Sequence, residues 1–164
     1  MTPKRPFAAR PRARIALAGL AVSTALVGAL AQPAAAYGGC ESDGTVVVCV
    51  TINSAGTGAY DVHIGLDVRM SQAEAQAIID EHGNESAVAV MFGRDYFTSE
   101  NLFDVEATWV AAGPNGFSAE LDRRVLQSQL NEDDDFWDRR DEVQAYVGGY
   151  ATSVIRTREI HAYF

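Results

Sequence analysis

Between residues 60 and 70 the chain alternates without a break. Tyr60, Val62, Ile64, Leu66, Val68 and Met70 occupy one set of positions, and Asp61, His63, Gly65, Asp67 and Arg69 the other. A period of two places the apolar set on one side of an extended backbone and the polar set on the other, a pattern no helix can use. A chain holding such a strand must supply neighbours that pair with it and a partner layer that covers its apolar side.

The neighbours are legible. Residues 45–52 (TVVVCVTI) are β-branched on both sides and predict a strand buried on both faces, with Asn53 to Gly58 as the loop that follows. The run at 87–92 is short and apolar. Phe103, Val105, Ala107, Trp109 and Ala111 alternate with Asp104, Glu106, Thr108 and Val110, and Gly113-Pro114-Asn115-Gly116 then turns the chain before Phe117, Ala119 and Leu121 resume the alternation. Residues 102–122 therefore predict a hairpin, with the first set facing the core. Residues 126–130, 143–147 and 154–163 predict further strands.

One helix interrupts them. Ser71 and Glu74 have capping-box spacing, Ala75, Ile78, Ile79 and His82 share a face, and Gly83 stands where a helix ends. The expected fold is mainly β, a single antiparallel sandwich or open barrel of about seven strands with one short helix at 71–82.

The N-terminus has a different character. Lys4, Arg5, Arg10, Arg12 and Arg14 precede an apolar run from residue 15 to 30, and Ala34-Ala35-Ala36 follows. Basic start, apolar middle and small-residue end are the three parts of an export signal, so residues 1–36 read as a cleaved signal and 37–164 as one secreted domain. The apolar run is shorter than the roughly 20 residues that span a bilayer. A lipid anchor on Cys40 fits poorly, because the apolar run ends well before it.

Removing the signal leaves eight arginines, no lysine and all 22 acids, a net charge of −14 on the secreted domain. Such a domain repels nucleic acid and anionic membranes and attracts cations or basic proteins. Cys40 and Cys49 are the two cysteines. In an exported chain they predict one disulfide, closing a loop around the turn signal Asp43-Gly44.

The densest candidate constellation is the acidic stretch at 131–142. Asn131, Asp133, Asp135 and Glu142 fall at spacings like those of a calcium loop, with Asp138 among them, and calcium takes six to eight hard oxygen ligands. Phe136 occupies the position where an EF-hand requires glycine, and the flanks read as strands. The expectation is thus a calcium ion held by an interstrand loop, set against a solvated connection in which Arg139 and Arg140 pair with neighbouring acids. Strands ending in such a loop are similar in architecture to extracellular calcium-binding β-sandwiches. Trp137, an aromatic inside a polar loop, is the candidate partner-binding residue.

The remaining chemistry is sparse. His63 lies on the polar face of its strand, His82 in the last helical turn and His161 in the final strand, so a shared metal would need all three to converge in space. No G-x-S-x-G or H-E-x-x-H motif occurs. Asn84-Glu85-Ser86 is a glycosylation acceptor where a host uses one. Tyr60, Trp109, Trp137, Tyr146, Tyr150 and Tyr163 could line a sugar- or peptide-binding face, although those on alternating strands are expected in the core. The expectation is a secreted, non-enzymatic module that binds an extracellular protein or glycan. The alternatives are a small hydrolase with dispersed carboxylates and a secreted enzyme inhibitor.

Overall fold

The computed structural model describes residues 36–94, 99–131 and 141–164. Residues 1–35 of the proposed signal, and Asp133, Asp135, Trp137 and Asp138 of the acidic stretch, lie outside the described residues. Among the described residues nine strands and one α-helix follow in the order β1 (Ala36–Ser42), β2 (Val46–Gly56), β3 (Ala59–Val68), α1 (Gln72–His82), β4 (Val88–Arg94), β5 (Ser99–Gly113), β6 (Gly116–Leu126), β7 (Asp141–Gly148), β8 (Ile155–Arg156) and β9 (Ile160–Ala162). Every pairing is antiparallel, in the spatial order β1-β2-β3-β6-β5-β4-β7-β8, with β9 also on β7. The sheet curls until β9 approaches β1 and is nearly closed into a barrel. The mainly β, antiparallel fold expected from the sequence is thus the fold found.

β3 sits where its alternation requires. Val62, Ile64 and Leu66 are fully buried, and their opposite numbers on β2 and β6 (Ile52, Val50, Val48, Leu121 and Ala119) are buried with them. Met91, Val105, Val143, Ala145 and Val147 close the core from the other side of the barrel. Burying a side chain of this size contributes about 1.5–3 kcal/mol, so stability is distributed around the whole ring. α1 begins with the predicted capping box. The Ser71 hydroxyl accepts from the Glu74 amide, and the Glu74 carboxylate accepts from the Ser71 amide and hydroxyl. Ala75 is buried where the helix packs on β5 and β6.

Five sequence expectations need correction, and one strand, β1, was not expected at all. The strand β1 carries no apolar pattern; it pairs along its whole length with β2, and the predicted disulfide joins Cys40 to Cys49 directly across that pair. β2 is buried on one face only, with Val47 at 37% exposure on the other. The loop expected at 53–58 shrinks to the turn at Thr57 and Gly58, because β2 runs on to Gly56 opposite Ala59. Residues 126–130 do not form a strand: β6 ends at Leu126 and Gln127–Gln129 makes a 3₁₀ turn, in which the Gln129 side chain accepts from the Leu126 amide. The segment expected at 154–163 is broken into β8 and β9.

The fifth correction concerns β5. Its register on β6 slips between Ala107, opposite Leu121, and Trp109, opposite Glu120, leaving Thr108 as an extra residue. A bulge of this kind reverses the phase of everything after it. Val110 and Ala112 therefore pack against the core, whereas Trp109, expected inside, is 50% exposed.

Candidate interaction surface

With the interior filled by side chains, chemistry falls to the outer faces of the barrel. On the face built by β3, β6 and the second half of β5, polar side chains satisfy one another. His63 Nδ1 lies 2.8 Å from Asp122 Oδ1, and its Nε2 lies 3.0 Å from Glu120 Oε2. The bulge residue Thr108 donates to Asp122 Oδ2 at 2.8 Å. Arg124 grips both oxygens of Asp61, and Ser118 donates to Asp67. Asp122 is held below the usual carboxylate range, first by its hydrogen bond to His63, against the opposing effect of burial, and further by its hydrogen bond from Thr108. Both ring nitrogens of His63 are turned to carboxylates, so neither is presented to a substrate proton.

His82 and His161 are elsewhere. The His82 ring stacks on Tyr150 at 3.5 Å, and His161 Nδ1 lies 3.0 Å from Glu142 Oε1. The three histidines do not share a site. Of the residues proposed for calcium, Asn131 follows the 3₁₀ turn with its amide bonded to the Gln127 carbonyl, and Glu142 is on β7 beside His161. Among the described residues, no group of three or more His, Cys, Asp or Glu side chains is arranged to hold a metal ion.

The opposite face, on β4, β7 and β8, has a different composition. Val88, Val90 and Phe92 point outward from β4, alternating with buried Ala89, Met91 and Gly93. Across the pair with β7, Val88 faces Gly148, Val90 faces Tyr146 and Phe92 faces Gln144. Val154 lies over Gly148, in the space a side chain there would need. The Phe92 and Tyr146 rings meet at 4.6 Å and tilt by 56°, and the Arg156 guanidinium sits 5.1 Å above Tyr146. Val88 is 39% exposed and Val154 66%. A wet face of an antiparallel sheet is normally polar. Here an apolar stripe of Val88, Val90, Phe92 and Tyr146, exposed or half-exposed, lies on the outer face instead.

Acids border this stripe on its β5 side. In register, Glu106 lies opposite Val88 and Asp104 opposite Val90, both exposed. Neither carboxylate is paired with a cation among the described residues. The nearby Arg123 gives its guanidinium to the main-chain carbonyl of Asp104 and to the face of Phe103.

This surface was missed from the sequence because its parts come from four strands, and only the pairing brings them together. The isolated signal that could have found it is the alternation at 88–94 read with its valines outward. Compared with known proteins, the chain matches no family model, no curated protein and no solved structure.

Among the described residues no helix is long and apolar enough to cross a membrane, and the disulfide is compatible with an extracellular address.

Proposed function

We propose that residues 37–164 form an exported, non-enzymatic binding module that meets an extracellular partner through the outward face of β4, β7 and β8. The observation that carries this reading is the stripe of Val88, Val90, Phe92, Tyr146 and Val154 on a sheet face turned to solvent. Contiguous apolar surface of this kind marks an interaction site more often than chance exposure does. A protein partner fits better than a glycan. Sugars stack on flat, open rings, and here Phe92 and Tyr146 are half-buried and tilted against each other.

Export is supported by the basic, apolar and small-residue order of residues 1–36. A cut after Ala36 leaves Tyr37 as the first residue, with its ring against Phe164 at 5.6 Å. Calcium at the 131–142 stretch is retained as part of the proposal, as a stabilising ion; its support is the carboxylate spacing in the sequence.

The test compares the mature domain with a Val88→Ser, Val154→Ser variant, each immobilised and exposed to medium from the producing culture. Both side chains are exposed, so the melting temperature should stay within a few degrees. The reading expects a retained protein that the variant releases at least tenfold faster. Equal retention by the two would remove this face as the contact surface.

A further inference from the structure

The chemistry of the partner follows from what borders the stripe, and this step rests on the face proposed above. We infer that the partner is a basic protein presenting an apolar patch flanked by at least two Lys or Arg side chains. The apolar row of β4, with Tyr146 of β7 beside it, is bounded on one side by Glu106 and Asp104, which stand opposite Val88 and Val90. Alternate residues of a strand are about 7 Å apart, and neighbouring strands about 4.8 Å. A side chain seated on Val88 or Val90 therefore lies within reach of a cation placed beside it over β5.

Among the described residues the two acids have no paired cation, while the described cations nearby are engaged. Arg123 is bound to the Asp104 carbonyl, Arg94 to Glu159 at 3.5 Å and to the Ser99 hydroxyl, and Arg156 lies over Tyr146. An acidic partner would meet Asp104 and Glu106 unscreened, and the secreted domain carries a net charge of −14 that adds to the repulsion. For the same reason a second copy of this chain is a poor occupant. Like-charge juxtaposition at a rim disfavours wrong partners, so the border of acids selects as well as attracts.

The experiment uses two synthetic peptides that differ only in charge, one with Leu and Phe flanked by Arg and one with the same apolar residues flanked by Glu. Their binding to the mature domain is followed by fluorescence anisotropy at low and physiological salt. The inference expects the Arg peptide to bind at least tenfold more tightly than the Glu peptide, and salt to weaken it. Asp104→Asn with Glu106→Gln should weaken it about tenfold. Asp61→Asn with Asp67→Asn, which changes the net charge equally on the other face, should leave it within twofold. Equal loss in the two double variants, equal affinity for the two peptides, or no binding by either would overturn the inference. Binding that is lost in Val88→Ser, Val154→Ser but unchanged in Asp104→Asn, Glu106→Gln would keep the apolar face and refute the charge requirement alone.

Discussion

Replacing Cys40 and Cys49 by serine tests how the barrel holds its first strand. β1 forms ladder pairs with β2 alone, is largely exposed, and has two glycines at Gly38 and Gly39. On its other side it meets β9 only loosely, helped by the Arg158–Glu41 ion pair and the Tyr37–Phe164 ring contact. The cysteines are nine positions apart in sequence, and a closed loop of that size restricts the unfolded chain by about 2.7 kcal/mol at 25 °C in the loop-entropy account. Unfolding entropy near 2.1 cal/mol/K per residue, taken over roughly 128 residues, converts this to a fall of about 10 °C in melting temperature. The turn inside the loop is already organised locally. Asp43 Oδ1 accepts from the Thr45 amide, the Thr45 hydroxyl and the Val46 amide at 2.8–2.9 Å, which should trim the effect without removing it. Urea titrations should show a lower midpoint for the double serine variant than for the oxidised wild type, with a slope equal or slightly steeper because its unfolded chain is less compact. Hydrogen exchange supplies the contrary outcome. If the variant keeps the wild-type midpoint while only the β1 amides exchange faster, β1 detaches on its own and the disulfide fastens one edge without contributing to global stability.

Four further predictions concern particular sites. Gly116 has φ of +126°, and a Cβ there would strike the Val68 carbonyl, so Gly116→Ala should lose about 1–3 kcal/mol or more in urea titration. Gly39→Ala, with open space around it, should stay within about 0.5 kcal/mol. The depressed carboxyl of Asp122 stabilises the fold above the unfolded aspartate value, about 3.9, and that contribution disappears as pH falls through the lower folded value. The urea midpoint should therefore drop as the solution is acidified below about pH 4, and drop less in Asp122→Asn. Thermal melts in millimolar calcium should lie above those in chelator, with magnesium ineffective and Asp133→Asn with Asp135→Asn abolishing the difference. No shift would remove calcium from the proposed function.

What could be read in advance depended on whether the cause was local. The alternation of β3 and the Ser71–Glu74 capping box are complete within a dozen residues, so they survive folding unchanged. Trp109 was misplaced because nothing in the local sequence marks Thr108 as a bulge; the extra residue is fixed by Leu121 and Glu120 on the neighbouring strand. β1 was not legible because its cause lies opposite, in Cys49 and in the Val50 carbonyl against which only a glycine at position 38 can lie. Gln127–Gln129 turned instead of extending because Leu126 found the Gln129 side chain as its acceptor, a competition that pattern counting does not see. The candidate surface is the extreme case. Each of its strands looked ordinary alone, and the registers of β5 on β4 and β4 on β7 align the valines with the acids.

The two outer faces bear on why the domain is so acidic. On the β3–β6 face the acids are already used: Asp61 by Arg124, Asp67 by Ser118, and Asp122 by His63 and Thr108. Acids placed only for solubility would be worth most where apolar surface is exposed, interrupting the stripe itself at Val88, Val90 or Phe92. Instead β4 is apolar at its outward positions 88, 90 and 92 before ending at Arg94, and the carboxylates of Asp104 and Glu106, unpaired among the described residues, stand one strand away, beside the stripe and not within it. A solvated face does not require that separation. A surface that seats an apolar patch and attracts cations at its border does.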